Sequence, residues 1–111
     1  MTASAQFQAV FQRGKRIDRP GCLVLWTQTN GARRVGFAVS RQLNRAVDRN
    51  RIRRRLREAY RAARGAAPAS AAIVVVGKKR VLDMKFAALV EELRGSFSVM
   101  AGSVASAGAR Q

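Results

Sequence analysis

From Asp48 to Arg61 the chain reads Asp-Arg-Asn-Arg-Ile-Arg-Arg-Arg-Leu-Arg-Glu-Ala-Tyr-Arg. This arginine-dense run still keeps Ile52, Leu56, Ala59, Tyr60 and Ala63 in helical register. A solvated basic tail has no reason to hold that spacing. A helix that docks one face on a core while presenting guanidinium groups on the others does. Asp48 is the expected N-cap of a helix over about 48–64.

The rest of the composition agrees with a polyanion as partner. Twenty-two Lys and Arg oppose six Asp and Glu, a formal net charge of +16. Only four of the cations are lysine. Arginine binds phosphate bidentately and stacks on bases, which suits RNA, although a GC-rich genome produces the same bias. The single cysteine, Cys22, rules out an intrachain disulfide and fits a reduced, cytoplasmic setting. With no histidine, imidazole acid–base chemistry and His metal ligation are excluded. No apolar stretch is long enough to span a membrane, and no charged-then-apolar leader is evident.

The 111 residues suit one domain over 1–98, followed by an Ala/Gly/Ser-rich tail over 99–111 read as flexible. Phe7, Val10 and Phe11 set a short helix over 4–13, ended by Gly14. Residues 22–29 alternate as a strand, Leu23 and Leu25 on one face and Val24 and Trp26 on the other. Asn30-Gly31 suggests a hairpin to a return strand over 34–40, and a further short strand fits within 15–20. Residues 71–76 are apolar throughout, as in a strand covered on both faces. A last helix is expected over 83–98, capped by Asp83, with Phe86, Leu89, Val90, Leu93 and Phe97 as its stripe. The fold class is α/β (α+β): a two-layer sandwich in α-β-β-(β)-α-β-α order on a small mixed sheet, with 34–76 a parallel strand–helix–strand unit.

On a helical wheel Asn50, Arg53, Arg54, Arg57, Arg61 and Arg64 fill the arc beside the apolar stripe, and Arg51 and Arg55 lie on the other flank. Glu58 is placed to pair with Arg54 and Arg61. Like charges at i,i+4 cost roughly 0.2–0.5 kcal/mol per pair, so this row makes little sense without a phosphate backbone to neutralise it. No helix–turn–helix spacing precedes it, which argues against DNA major-groove reading.

Two stretches now carry a resemblance: Arg33-Arg34-Val35-Gly36-Phe37-Ala38-Val39-Ser40-Arg41, and Ala46-Val47-Asp48-Arg49-Asn50-Arg51-Ile52-Arg53-Arg54-Arg55-Leu56-Arg57-Glu58. Together they resemble the signature of the bacterial ribonuclease P protein family, whose pattern R-N-R-x-K/R-R-x-x-R is met at each defined position. The likeness extends from about Phe7 to Phe97, through Ile73-Val74-Val75-Val76-Gly77-Lys78-Lys79. It implies a left-handed β-α-β crossover, where the general rule for parallel units would give the right-handed one. It also implies that Arg41, Arg45, Arg49, Asn50, Arg51, Arg53, Arg54, Arg57 and Arg61 bind RNA, and that Phe7, Phe11, Val24 and Trp26 line a cleft for the single-stranded 5′ leader of precursor tRNA. Gln42 departs from the family's second lysine. The N-terminal extension is shorter than usual, and the C-terminal tail is less basic.

From the residues alone, Phe7 and Phe11 read first as core of an amphipathic helix, whereas the resemblance makes them stacking surfaces. The six acids are scattered and no nucleophile–base pair is apparent, so no catalytic or metal-binding residue is assigned. By resemblance the RNA subunit, with Mg²⁺, cleaves the phosphodiester, and the protein binds no cofactor itself and is not catalytic alone. Its implied partners are ribonuclease P RNA and precursor tRNA, with no membrane and no obligate protein partner. The competing readings are a non-enzymatic RNA module on the same small fold and a basic membrane-surface helix.

Overall fold

A computed structural model of the chain describes residues 10, 12, 14–29, 31–40 and 45–109, with side chains described as far as Ser103. Four strands form one mixed sheet: β1 (Lys15–Asp18), β2 (Cys22–Gln28), β3 (Arg34–Val39) and β4 (Ala71–Gly77). Their order is β1-β2-β4-β3, with β1/β2 and β2/β4 antiparallel and β3/β4 parallel.

The expected hairpin between β2 and β3 does not form, because β4 lies between them. The reason is burial. Ala71-Ala72-Ile73-Val74-Val75 is apolar on both faces and buried throughout, so it belongs in the middle of the sheet. The hairpin is instead β1–β2, turning through Pro20-Gly21 and closed by the Arg19 N–H donating to the Cys22 carbonyl at 2.8 Å. The short strand suspected within 15–20 is therefore real and forms an edge.

Helix α1 (Ala46–Ala63) links β3 to β4, and α2 (Phe86–Ala109) ends the described chain. Asp48 is not the cap of α1. Arg45 holds that position without a side-chain cap bond, and Asp48 lies in the first turn, where its charge still favours the helix dipole. Asp83 does not cap α2 either: it closes a preceding 3₁₀ turn (Lys79–Leu82), which plants Val81 in the core, and α2 starts only at Phe86. The Ala/Gly/Ser-rich stretch is helical as far as Ala109, and Met100 is fully buried.

Both helices cover one face of the sheet. Ile52, Leu56, Ala59 and Ala63 of α1 and Leu89, Val90, Leu93, Phe97 and Met100 of α2 meet Cys22, Val24, Trp26, Ile73 and Val75. Phe86, counted in the α2 stripe from sequence, is 41% exposed. Tyr60 stands edge-on between Phe37 and Phe97, with ring centroids 5.8 and 5.9 Å away. On the opposite face Val10 packs with Leu25, Ala72 and Val74. Val10 and Gln12 are helical, and the remainder of the helix expected over 4–13 lies outside the described residues.

Two close approaches require glycine. A Cβ on Gly14 would lie 2.4 Å from the Val10 carbonyl oxygen and 3.0 Å from that of Trp26. A Cβ on Gly77 would lie 2.3 Å from Ile52 Cγ2 and 3.0 Å from Leu56 Cδ1, so α1 rests directly on the β4 backbone.

Candidate nucleic-acid interface

Helix α1 has 18 residues and is about 27 Å long at 1.5 Å per residue. A nucleic-acid strand rises about 3.4 Å per nucleotide, so α1 can pass several successive phosphates. The stripe Ile52, Leu56, Ala59, Ala63 is sealed against the sheet, which fixes the outward directions of everything else. Arg45, Asn50, Arg51, Arg54, Arg57, Arg61 and Arg64 are exposed, and Arg49 and Arg53 are half-buried. The motif residues that the structure describes are thus gathered on one rigid element. Arg41 lies outside the described residues.

Glu58 does not order the arginine row as expected: it is exposed and makes no ion pair among the described residues. Arg51, Arg54, Arg57 and Arg61 likewise have no carboxylate partner among them. Two features of α1 are not foreseen from the sequence. Val47 is 62% exposed and shares a shallow depression with Asn50, Arg51 and Arg54, an apolar spot inside a cationic surface. Its offset of five residues from Ile52 is the available signal. Arg55 turns inward instead: its Nη2 donates to the Met84 carbonyl at 2.5 Å, and its Nε is buried without a partner. It fastens α1 to the segment before α2. Arg33 serves a similar end elsewhere, donating from Nη1 to the Ala67 and Pro68 carbonyls at 3.2 and 3.3 Å, its guanidinium 5.8 Å from the Tyr60 ring centroid.

The leader-cleft residues fare differently. Phe7 and Phe11 lie outside the described residues. Val24 and Trp26 are described, and they do not line a cleft: they are 0% and 4% exposed, on the sheet face beneath the helices. Lys15 Nζ lies 5.2 Å from the Trp26 ring centroid and also reaches Ser103 Oγ of α2 at 3.4 Å. A ring so enclosed offers no surface for a base. The opposite face is partly open, with Leu23, Ala38 and Val76 half-buried. Ladder pairing puts Arg16 (opposite Leu25) and Arg34 (opposite Ala72) on that same face, and both are exposed. Strand parity separates the two faces, since residues adjacent to Val24 and Trp26 in sequence necessarily face the other way, but it does not say which face is covered.

The acids serve structural ends where their partners are visible. Lys78 Nζ donates to Asp18 Oδ1 at 2.5 Å and to the Arg19 carbonyl at 2.7 Å, joining the end of β4 to the β1–β2 turn. The Lys78 ammonium, through that hydrogen bond, holds the Asp18 carboxyl below its ordinary range. Arg94 pairs with Glu91. Burial, reinforced by the Glu92 carboxylate, pushes the Cys22 thiol up to about 12, so it stays protonated. Among the described residues no three His, Cys, Asp or Glu side chains converge to hold a metal ion, and no helix is long and apolar enough to cross a membrane.

Comparison with known proteins gives one consistent result. The family model described as Ribonuclease P matches residues 1–101. The ribonuclease P protein component of Gluconacetobacter diazotrophicus is 38% identical over 93 residues, covering 81% of this chain and 80% of that protein. The same component of Symbiobacterium thermophilum is 41% identical over 92 residues, covering 78% and 80%. Among solved structures, the RNase P protein of Thermotoga maritima superimposes with a TM-score of 0.75 at 25% identity, covering 88% of this chain and 94% of that one.

Proposed function

The chain belongs to the ribonuclease P protein family, and from that premise we propose that it binds ribonuclease P RNA through α1 and the 5′ leader of precursor tRNA through the open sheet face. In this reading it promotes endonucleolytic maturation of the tRNA 5′ end while the RNA subunit and its Mg²⁺ do the chemistry. The carrying observation is the outward row Arg51, Arg54, Arg57 and Arg61, exposed and without acid partners among the described residues, on a helix whose other side is locked into the core. Such a row lowers the stability of the isolated protein and is relieved by phosphates, with release of counterions from the RNA.

The leader reading moves from the Trp26 face to the opposite one. Leu23, Val76 and Ala38 form one low apolar row across the sheet, continued on β1 by Asp18, with Arg16 and Arg34 one and two steps further along the strands on the same face, an arrangement that suits bases over the row and phosphates toward the arginines. Small side chains there accept any base, as leaders of varied sequence require.

The test is reconstitution with a bacterial ribonuclease P RNA at low Mg²⁺, following precursor-tRNA cleavage with and without the protein. Cleavage at the mature 5′ end that depends on the protein is the expected result. A folded protein that binds this RNA tightly yet leaves cleavage unchanged would refute the subunit role.

A further inference from the structure

Arg55 turns its donors toward protein although it belongs to the arginine run of α1. It stands three residues after Ile52 and four before Ala59, at the edge of the buried stripe that meets the segment before α2. The residue is half-buried, its Nη2 donates to the Met84 carbonyl at 2.5 Å, and its Nε lies buried with no partner. Solvent would satisfy every N–H of an outward arginine. The inward rotamer gives up a phosphate ligand and leaves one buried donor unmatched, a loss that the bond to Met84 must offset.

The anchor is itself fixed. The Met84 N–H donates to the carbonyl of Val81, a fully buried residue, at 3.4 Å. The Met84 thioether lies against Gly21, where a Cβ would come within 2.4 Å of Sδ. Gly21 in turn accepts the Lys78 N–H at 2.9 Å and donates its own N–H to Glu92 Oε1 at 3.1 Å. The Met84 carbonyl is thus a point on the frame of the sheet. The same turn of α1 is seated by Ile52 and Leu56 over the Gly77 backbone. Apolar contact of that kind is non-directional, so it resists lifting of the helix more than rolling. A directed hydrogen bond at the flank resists rolling.

We propose that Arg55 is a positioning residue of the RNA interface. It contacts no phosphate and holds α1 against rolling, so that Arg51, Arg54, Arg57 and Arg61 meet the RNA already aligned. Without the tether the complex neutralises the same phosphates, but binding must first restore the alignment of the helix. The proposal rests on the reading of α1 as the RNA-binding helix.

The test titrates the wild-type chain, Arg55→Met, Arg55→Lys and Arg54→Met against labelled ribonuclease P RNA over a salt series, and melts each free protein. Methionine fills the half-buried site without a donor. Lysine offers one ammonium to the Met84 carbonyl and has no Nε–H to bury. Arg54, exposed and without an acid partner among the described residues, is the contact control. Arg55→Met should bind about tenfold more weakly at the wild-type salt slope. Arg55→Lys should return to within about twofold of wild-type affinity. Arg54→Met should lower the slope by about 0.9 if it loses one duplex-like phosphate. An equal drop in slope for Arg55→Met would make Arg55 an RNA contact and overturn the proposal. Unchanged affinity where the variant is folded, with only a lower melting temperature, would reduce Arg55 to a stabilising residue and overturn it as well. So would failure of Arg55→Lys to restore affinity. If Arg55→Met does not fold, Arg55→Gln, two atoms too short for the tether, reads the same split between affinity and slope. Failure of the wild-type chain to bind this RNA would instead defeat the reading of α1 on which the proposal stands.

Discussion

The two faces of the sheet have different fates although they are built from alternate residues of the same strands. Under the helices, Val24, Trp26, Ile73 and Val75 are sealed into a continuous core. On the other face Leu23, Ala38 and Val76 remain partly exposed, and Arg16 and Arg34 of the edge strands share that face further along the strands. Chemically similar side chains one residue apart thus carry stability on one side and a binding surface on the other. A residue's position in the pleat, more than its type, decides which role it takes.

The comparison breaks most visibly at Trp26. Trp26→Ala is expected to cost about 3–5 kcal/mol in denaturant melts, as for other enclosed aromatics. Wild-type Trp26 emission should stay unchanged when short single-stranded RNA is added, and an RNA-dependent shift would return the ring to the binding surface. Next comes the pair Val75→Ala and Val76→Ala. The first empties a fully buried site and should destabilise markedly, by roughly 2 kcal/mol on the scale of buried methyl deletions. The second should cost well under half as much, and weaken leader affinity more than stability. Equal stability losses would mean that the open face is as much core as the covered one.

On α1, Arg53→Ala with Arg57→Ala should leave melting almost unchanged and flatten the dependence of RNA affinity on salt. The slope should fall by about 0.9 for each phosphate of a duplex-like target that the variant no longer neutralises. An unaltered slope would take these side chains out of the interface. The smallest effect belongs to Asp18. Its folded-state pKa is depressed below 3.8 by Lys78, so the stability it contributes is present above that value and lost as pH falls through the lower, folded one. Asp18→Asn should therefore remove part of the decline in melting temperature below about pH 3.8 and change nothing that depends on RNA.

The β3–α1–β4 unit is legible in the sequence because each part has its own period: alternation in Val35, Phe37 and Val39, helical spacing from Ile52 to Ala63, and an unbroken apolar run from Ala71. The outward arginines follow from the stripe. What misleads is local turn chemistry. Asn30-Gly31 suits a hairpin, but pairing is settled by where the most apolar strand must go, and β4 takes the place beside β2. β1 is faint because Ile17 is its one apolar residue. Val24 and Trp26 owe their expected role to likeness with a family position, and the sequence does not say which face of β2 the helices cover. Arg55 is unreadable as a tether because its acceptor is a backbone carbonyl 29 residues away.

The missing side chain at Gly77 bears on aim. Because Ile52 and Leu56 bed into the bare backbone at the end of β4, α1 has one stable rotation about its own axis, and its arginines point where that rotation sends them. A methyl group at 77 would act like a shim under one end of a beam. The helix would stay helical and the charge would be unaltered, yet the whole guanidinium row would swing off its line. RNA affinity should then fall in Gly77→Ala although every arginine is still present, which makes a glycine in the sheet one of the settings of the surface above it.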